Sequence, residues 1–338
     1  SKDVLTANLV TANSNLLANG LNGGLASNYS LVTGQTVAAN ITAYAVSMTG
    51  VRAYDSTTSV AAGIFTLNPL VGTETLTLSG TGSVSSANAG TYTVALGTLS
   101  LGTLALGDGT NGGLAGNYTF TGGTQTVTIG TAALAVVTAS DASKTYGTTY
   151  TLGTTAFTAT GLQGSDNISG VTLTSAGAIN TANAGTYAIV PSDAVFSVGS
   201  PGNYTISYVN GTLTVNPAPL TAAVTGTPTR VYNGTTVATL APANYALTGF
   251  VSGEGATVTQ TAGTYNSKDV VTATTVSATL APTDFTATGA TLLSNYTLPT
   301  AASGAGTITV APLTAAVTGT PTRVYNGTTV ATLAPANY

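Results

Sequence analysis

Residues 218–245 and 311–338 are the same 28-residue string, APLTAAVTGTPTRVYNGTTVATLAPANY, repeated at an offset of 93 residues. Identity at every position marks duplication of whole modules, so the chain is a tandem array rather than one large core. Apolar and hydroxyl residues alternate within it. Examples are Thr75-Leu76-Thr77-Leu78, Thr126-Val127-Thr128-Ile129, Thr212-Leu213-Thr214-Val215 and Thr307-Ile308-Thr309-Val310. Period two with β-branched residues predicts half-buried strands. Turn formers such as Asn22-Gly23-Gly24, Gly107-Asp108-Gly109, Asn233-Gly234 and Asn326-Gly327 separate them. No helical stripe is present, and 41 glycines oppose long helices. The fold class is therefore all-β.

A terminal Thr-x-Thr-x strand recurs near residues 42, 131, 217 and 310. It predicts whole modules at 43–131, 132–217 and 218–310, with pieces at 1–42 and 311–338. Each whole module has about the size of an immunoglobulin-like sandwich, roughly 100 residues. A β-grasp-like module, with first and last strands paired in parallel, is the alternative, and there Gly161–Asp166 would form a short helical turn. Linkers such as Val215-Asn216-Pro217-Ala218-Pro219-Leu220 are short and proline-stiffened. The sequence therefore predicts a rod of small β-sandwiches.

Only 5% of residues are charged, yet 43% are apolar and mean hydropathy is +0.34. Disorder requires the reverse, so the chain folds behind a surface of Thr, Ser, Asn and Gly. Six basic residues cannot line a phosphate-tracking groove, which argues against a nucleic-acid partner. No apolar run approaches the roughly 20 residues that span a bilayer. Membrane attachment would come only through parts outside this stretch. Neither His nor Cys occurs, which removes the commonest bases, nucleophiles and transition-metal ligands. The ten carboxylates are scattered singly, and no calcium loop is spelled out. No catalytic, cofactor-binding or metal-ligating residue is expected, and no enzyme. The lack of cysteine in a chain of this kind points to a bacterial extracellular protein held by its cores alone.

All six cations are locked to the repeat. Four sit in an [Arg/Lys]-x-Tyr motif: Arg52 and Tyr54, Lys144 and Tyr146, Arg230 and Tyr232, Arg323 and Tyr325. The other two open the Lys-Asp-Val strings at 2–4 and 268–270. Strand geometry places i and i+2 on one face, which predicts a tyrosine packed under a turn beside the aliphatic stem of its own cation. A ligand-binding arginine is the other reading. A second motif is Asn-Tyr-[Ser/Thr]: Asn28 and Tyr29, Asn117 and Tyr118, Asn203 and Tyr204, Asn295 and Tyr296. Here the Asn amide is expected to close the turn while Tyr enters the core. These sites also fit the N-glycosylation pattern, as do Asn233 and Asn326. A third motif, Ala-Gly-Thr-Tyr at 89–92, 184–187 and 262–265, reads as the start of a core strand.

Taken together, these motifs resemble two companion repeat families of large bacterial adhesins of the filamentous-haemagglutinin type. Stretches 43–131 and 218–310, with both pieces, are similar to the YDG domain through Tyr54-Asp55, Tyr232-Asn233-Gly234-Thr235-Thr236, Ser267-Lys268-Asp269-Val270 and the Asn-Tyr segments. Stretch 132–217 resembles the MBG domain of YGX type through Lys144-Thr145-Tyr146-Gly147, Gly161-Leu162, Gly164-Ser165-Asp166, Ala184-Gly185-Thr186-Tyr187 and Asn203-Tyr204-Thr205-Ile206. Ser56 stands where the YDG pattern has glycine. The resemblance implies a secreted surface protein whose repeats form a stalk, and no catalytic residue.

The leading functional expectation is a stalk or filament segment of a secreted surface adhesin or a biofilm-matrix fibre. Its partners would be neighbouring modules of one longer chain and lateral copies in a fibre. With three lysines in all, sheet edges need cover from neighbours or from other rods. The alternative is direct glycan or host-surface binding on exposed tyrosines, several of them coplanar on one module. Lys2-Asp3-Val4 matches Lys268-Asp269-Val270, and Tyr338 matches Tyr245. The two terminal pieces together would still lack about two strands, so covalent continuation, not complementation between chains, is expected.

Overall fold

The alternating Thr-x-Thr runs fold as strands, because a pleated chain puts every second side chain on the buried face. Gln125–Gly130 alternates buried and half-buried positions along its whole length. Gly211–Asn216 and Thr307–Thr309 show the same alternation of burial. The computed structural model describes residues 1–12, 16–94 and 97–338. Among them the only helical segments are three-residue 3-10 turns, and the protein is all-β. The described residues form two compact units: Ser1–Ser140 with Leu152–Thr174 and Ile189–Gly211, and Asp141–Thr151 with Ser175–Ala188 and Thr212–Tyr338.

In the first unit, a four-stranded sheet runs in the order Phe65–Asn68, Ser47–Ala53, Gln125–Gly130, Gly90–Thr93. Its central pair is parallel, in register from Met48 opposite Gln125 to Ala53 opposite Gly130. A second sheet comprises Leu99–Ser100, Thr81–Val84 and Ser59–Ala61. Val60, Val84 and Leu99 from the second sheet share one core with Tyr92, Val127 and Ile129 from the first, which makes a sandwich. Strand Ala132–Ala139 pairs antiparallel with Phe157–Thr160 and parallel with Tyr204–Val209.

The second unit is built on a six-stranded sheet, in the order Val237–Thr239, Ala262–Tyr265, Thr275–Thr279, Ala301–Ala305, Thr221–Val224, Tyr245–Thr248. Its core gathers Val224, Val258, Tyr265, Val276, Leu280, Phe285 and Ile308. Thr229–Val231 lies parallel to Thr307–Thr309, and Ala142–Thr145 parallel to part of Gly211–Asn216.

In each whole module an opening strand is thus hydrogen-bonded in parallel to a closing one. That is the pairing of the β-grasp-like alternative, reached without a helix. Gly161–Asp166 makes only a turn, with the Asp166 N–H donating to the Gln163 carbonyl at 3.0 Å.

One close approach in the second unit is confined to glycine. A Cβ on Gly304 would lie 1.9 Å from the Val224 carbonyl oxygen, where the parallel strands Thr221–Val224 and Ala301–Ala305 meet. The obstacle is backbone and cannot rotate away. Gly304→Ala is expected to destabilise module 218–310 by about 1–3 kcal/mol, in line with the strain cost of overpacked cores. Loss of protease resistance in that stretch with 43–131 unchanged checks this, and wild-type resistance contradicts it.

Candidate functional site: the module joint

The Asn-Tyr motifs end 3-10 turns at Ala115–Asn117, Pro201–Asn203 and Leu293–Asn295. Each turn is closed by the asparagine's own backbone N–H, donated three residues back to Leu114, Ser200 and Leu292. The side-chain amide is therefore free for another partner, and the expectation that it closes the turn is corrected. It reaches instead into the preceding module. The Asn203 Oδ1 accepts the Ala89 N–H at 2.9 Å, while its Nδ2 donates to Asn88 Oδ1 at 2.9 Å. The same two-bond reading of a dipeptide recurs twice. Asn295 takes the Ala184 N–H at 2.8 Å and donates to Asn183 Oδ1 at 3.0 Å. Asn117 takes the Val4 N–H at 2.8 Å and donates to Asp3 Oδ1 at 2.9 Å. The bond from Asn117 is the first cause holding the Asp3 carboxyl below its ordinary value.

Both Asn203 and Asn295 are only 2% exposed, so their glycosylation sequons are shut in the folded protein. The dipeptides they read are held by the third motif, whose tyrosines Tyr92 and Tyr187 donate to the carbonyls of Asn88 and Asn183. The motif does begin strands, at Gly90–Thr93, Gly185–Val198 and Ala262–Tyr265.

The tyrosine beside each asparagine enters a second contact, centred on a carboxylate. The Tyr204 hydroxyl donates to Asp166 Oδ2 at 2.6 Å and accepts the Gln163 N–H at 2.9 Å. Tyr54, from the [Arg/Lys]-x-Tyr motif of the preceding module, donates to the same Oδ2 at 2.8 Å. Their rings meet edge to face, 5.5 Å apart at 75°, an attractive arrangement of ring quadrupoles. Glu254 repeats the pattern: Tyr296 and Tyr146 both donate to it, and the Val251 N–H donates to the Tyr296 hydroxyl at 3.0 Å. These two rings are 5.4 Å apart at 81°. At the third instance Tyr118 donates to Glu74 Oε2 at 2.7 Å and accepts the Val71 N–H at 3.1 Å. There Lys2 lies 3.7 Å from Glu74.

Burial first, then the bond to a carboxylate, raises the Tyr204 and Tyr296 hydroxyls to about 12. Tyr54 and Tyr118 are raised for the same reasons in the same order. For Tyr146 the Glu254 bond comes first and burial second. Desolvation and a neighbouring negative charge both oppose a phenolate. The clamp is therefore built for neutral tyrosines.

The charged heads of the motif cations bind the turns that follow their tyrosines. Arg52 donates to the carbonyls of Ala53 at 3.1 Å and Thr57 at 2.6 Å and pairs with Asp55. Arg230 binds Asn233 and the Thr235 hydroxyl and carbonyl, and Arg323 binds Asn326 and Thr328 in the same way. The Arg230 guanidinium also lies over the Tyr265 ring, 5.4 Å from its centre. A planar guanidinium spans a turn with several parallel donors, which leaves the tyrosine free to enter the joint. Lys144 is buried, with its ammonium donating to the carbonyls of Thr148 and Ile179, and burial lowers its pKa.

Tyr54, Tyr146, Tyr118, Tyr204 and Tyr296 are buried, whereas Tyr29 and Tyr325 are exposed. Asn28 is exposed as well. Tyr232 is 38% exposed. In each whole module a single tyrosine among the described residues shows more than a third of its surface: Tyr44, Tyr208 and Tyr232. Sequence reasoning missed the three carboxylates, which look isolated. Their signal is positional: Glu74, Asp166 and Glu254 each follow a turn glycine and precede the motif tyrosine by 38 to 44 residues.

Among curated proteins none matches the chain. Two family models do match, side by side. Residues 135–214 fit the MBG domain (YGX type) and residues 216–304 fit the YDG domain. Both families are consistent with repeat domains of extracellular, adhesin-type proteins. The joint at Glu254 lies where these two matched stretches meet, so the chain carries an MBG domain of YGX type and a YDG domain in tandem, coupled by a tyrosine–carboxylate–tyrosine clamp.

Proposed function

We propose that this chain is a stalk segment of a secreted bacterial surface adhesin or extracellular matrix fibre, with modules that transmit tension rather than bind a ligand. The observation that carries the reading is the recurrent joint. An Asn amide reads the preceding module's backbone in all three instances, and in two of them a carboxylate ties one tyrosine from each side. Recurrence of one interface with the same atoms suits a structural array, where stability is a sum of module and neighbour terms.

The parallel closure of the modules supports it further. The start of Ser47–Ala53 and the end of Gln125–Gly130 lie at opposite ends of one hydrogen-bonded pair. Tension along the chain then loads those bonds in shear, all at once, instead of unzipping them singly. The scarcity of exposed tyrosines on whole modules leaves little platform for sugar stacking.

Small-angle X-ray scattering tests the stalk. A compact globule of this length would have a radius of gyration of about 20 Å. An array of end-to-end modules is expected to exceed roughly 30 Å, half again the globular value. A value near that of a globule overturns the proposal.

A further inference from the structure

We infer that Asn233 is a self-modifying site: it loses its side-chain amide to attack by the backbone nitrogen of Gly234, and its turn is built to deliver an ordinary aspartate. Three donors converge on Asn233 Oδ1. They are the Arg230 guanidinium, the Thr235 N–H at 3.2 Å and the Thr235 hydroxyl at 3.0 Å. An amide oxygen has two lone pairs, so a third donor suits the anionic oxygen of a tetrahedral intermediate better than the amide itself. The donors also polarise Cγ for attack. Among the described residues the Gly234 N–H makes no hydrogen bond, and both Asn233 and Gly234 are exposed. A side chain at Gly234 would meet nothing within 4 Å, so water can reach the turn and ammonia can leave it. The cradle is repeated at Asn326, where Oδ1 accepts from Arg323 at 2.6 Å, the Thr328 N–H at 3.2 Å and the Thr328 hydroxyl at 3.0 Å.

In the first step the Gly234 nitrogen gives its proton to hydroxide and bonds to Cγ, closing a succinimide ring. The charge falls on Oδ1, under its donors. Collapse of that oxyanion breaks the bond from Cγ to Nδ2, which leaves as ammonia with a proton from water. Water then opens the ring. Addition at Cγ again puts the charge on Oδ1, and breaking the bond from Cγ to the Gly234 nitrogen restores the ordinary main chain with an aspartate side chain. Addition at the main-chain carbonyl of Asn233 would give isoaspartate, and that oxygen has no donor among the described residues. The net change is one water in and one ammonia out.

The product turn already exists in this chain. Tyr54-Asp55 has a carboxylate where Tyr232-Asn233 has the amide. The Thr57 N–H and hydroxyl both donate to Asp55 Oδ1 at 2.9 Å. Arg52 pairs with Asp55 and donates to the Thr57 carbonyl, as Arg230 does to the Thr235 carbonyl. The cradle therefore takes the acid without rearrangement. A guanidinium holds a carboxylate more strongly than an amide. Module 218–310 would thus acquire with age the ion pair that module 43–131 has from synthesis.

The test is peptide mapping of the full chain by mass spectrometry during incubation at mildly alkaline pH, with aspartate and isoaspartate separated by chromatography. Two other Asn-Gly pairs are references within the same molecule. Asn111 donates its amide to the Thr73 carbonyl, and Asn210 precedes the strand Gly211–Asn216. Asn233 and Asn326 are expected to convert at least about tenfold faster than either, since one donor aimed at a developing oxyanion contributes about a hundredfold in an enclosed site. Aspartate should be the main product in the folded chain and isoaspartate in urea, where the cradle is gone. Arg230→Met keeps the aliphatic stem. It should slow Asn233 about tenfold and leave Asn326 unchanged in the same molecule. Conversion at Asn233 no faster than at Asn111 and Asn210 overturns the inference. So does a rate and product ratio at Asn233 that Arg230→Met leaves unaltered.

Discussion

Alanine in place of both Asp166 and Glu254 is expected to loosen two joints while the modules themselves stay folded. Each carboxylate accepts hydrogen bonds from two tyrosine hydroxyls, one from either side of the joint. Hydrogen bonds to charged groups contribute about 1.5–3 kcal/mol each. The motif tyrosines keep a backbone donor, from Gln163 or Val251, which partly offsets the loss. A net cost of about 3 kcal/mol per joint follows, or roughly a hundredfold rise in the open population.

The amides of Ala89 and Ala184 report on that opening directly, because their N–H groups are bonded across the joint to Asn203 and Asn295. Their hydrogen exchange should accelerate by that factor, with core amides such as Val127 unchanged. Asp166→Asn and Glu254→Gln retain an acceptor and should give a smaller effect, about tenfold. Unaltered exchange at Ala89 and Ala184 would mean that ring packing and the asparagine bonds hold the joint without the carboxylate.

The second large effect is alkaline. The Tyr204 and Tyr296 hydroxyls ionise near 12 in the folded protein and near 10 in an unfolded chain. Between these values the unfolded chain has released the proton and the folded one still binds it. Stability is thus fully present below pH 10 and is lost as pH rises through 12. At 1.36 kcal/mol per unit, the loss is about 3 kcal/mol for each tyrosine. Tyr54, Tyr118 and Tyr146 shift in the same direction, as do the core tyrosines Tyr245 and Tyr265. Denaturant midpoints should be nearly flat from pH 7 to 9 and fall steeply from 10 to 12. The Tyr204→Phe, Tyr296→Phe variant should flatten part of that fall. A midpoint that holds constant through pH 12 would contradict the neutral clamp.

Strands and turns were legible because their causes are local. Thr126 to Ile129 alternates and becomes part of Gln125–Gly130. The glycine of Asn233-Gly234 adopts φ 80°, the left-handed region its turn requires. The joint was only half legible. Its tyrosines and asparagines stood out as repeats, but their destinations did not, since each partner lies 38 to 115 residues away. The acids stayed hidden for a further reason: one carboxylate per module carries no local pattern. Its role exists only when turn, Asn-Tyr segment and the preceding module's tyrosine meet.

The identical 28-residue copies separate the two kinds of determination within one chain. Residues 218–245 and 311–338 share every side chain, and both build the same turn networks. Arg230 with Asn233 and Thr235 is repeated as Arg323 with Asn326 and Thr328. Asn244 binds Ala241 and Thr225 as Asn337 binds Ala334 and Thr318. These bonds span a few residues or one short loop, so the chain forms them wherever the string occurs.

The strands differ. Thr221–Val224 is a strand between Tyr245–Thr248 and Ala301–Ala305, while 311–338 contains none. Leu220 is 5% exposed and its copy Leu313 is 96% exposed. Sequence by itself determined the alternation, the turns and the motif positions. Whether an alternating segment becomes a buried strand was decided by the tertiary structure, because a strand's hydrogen bonds and apolar face both need a partner from elsewhere in the module.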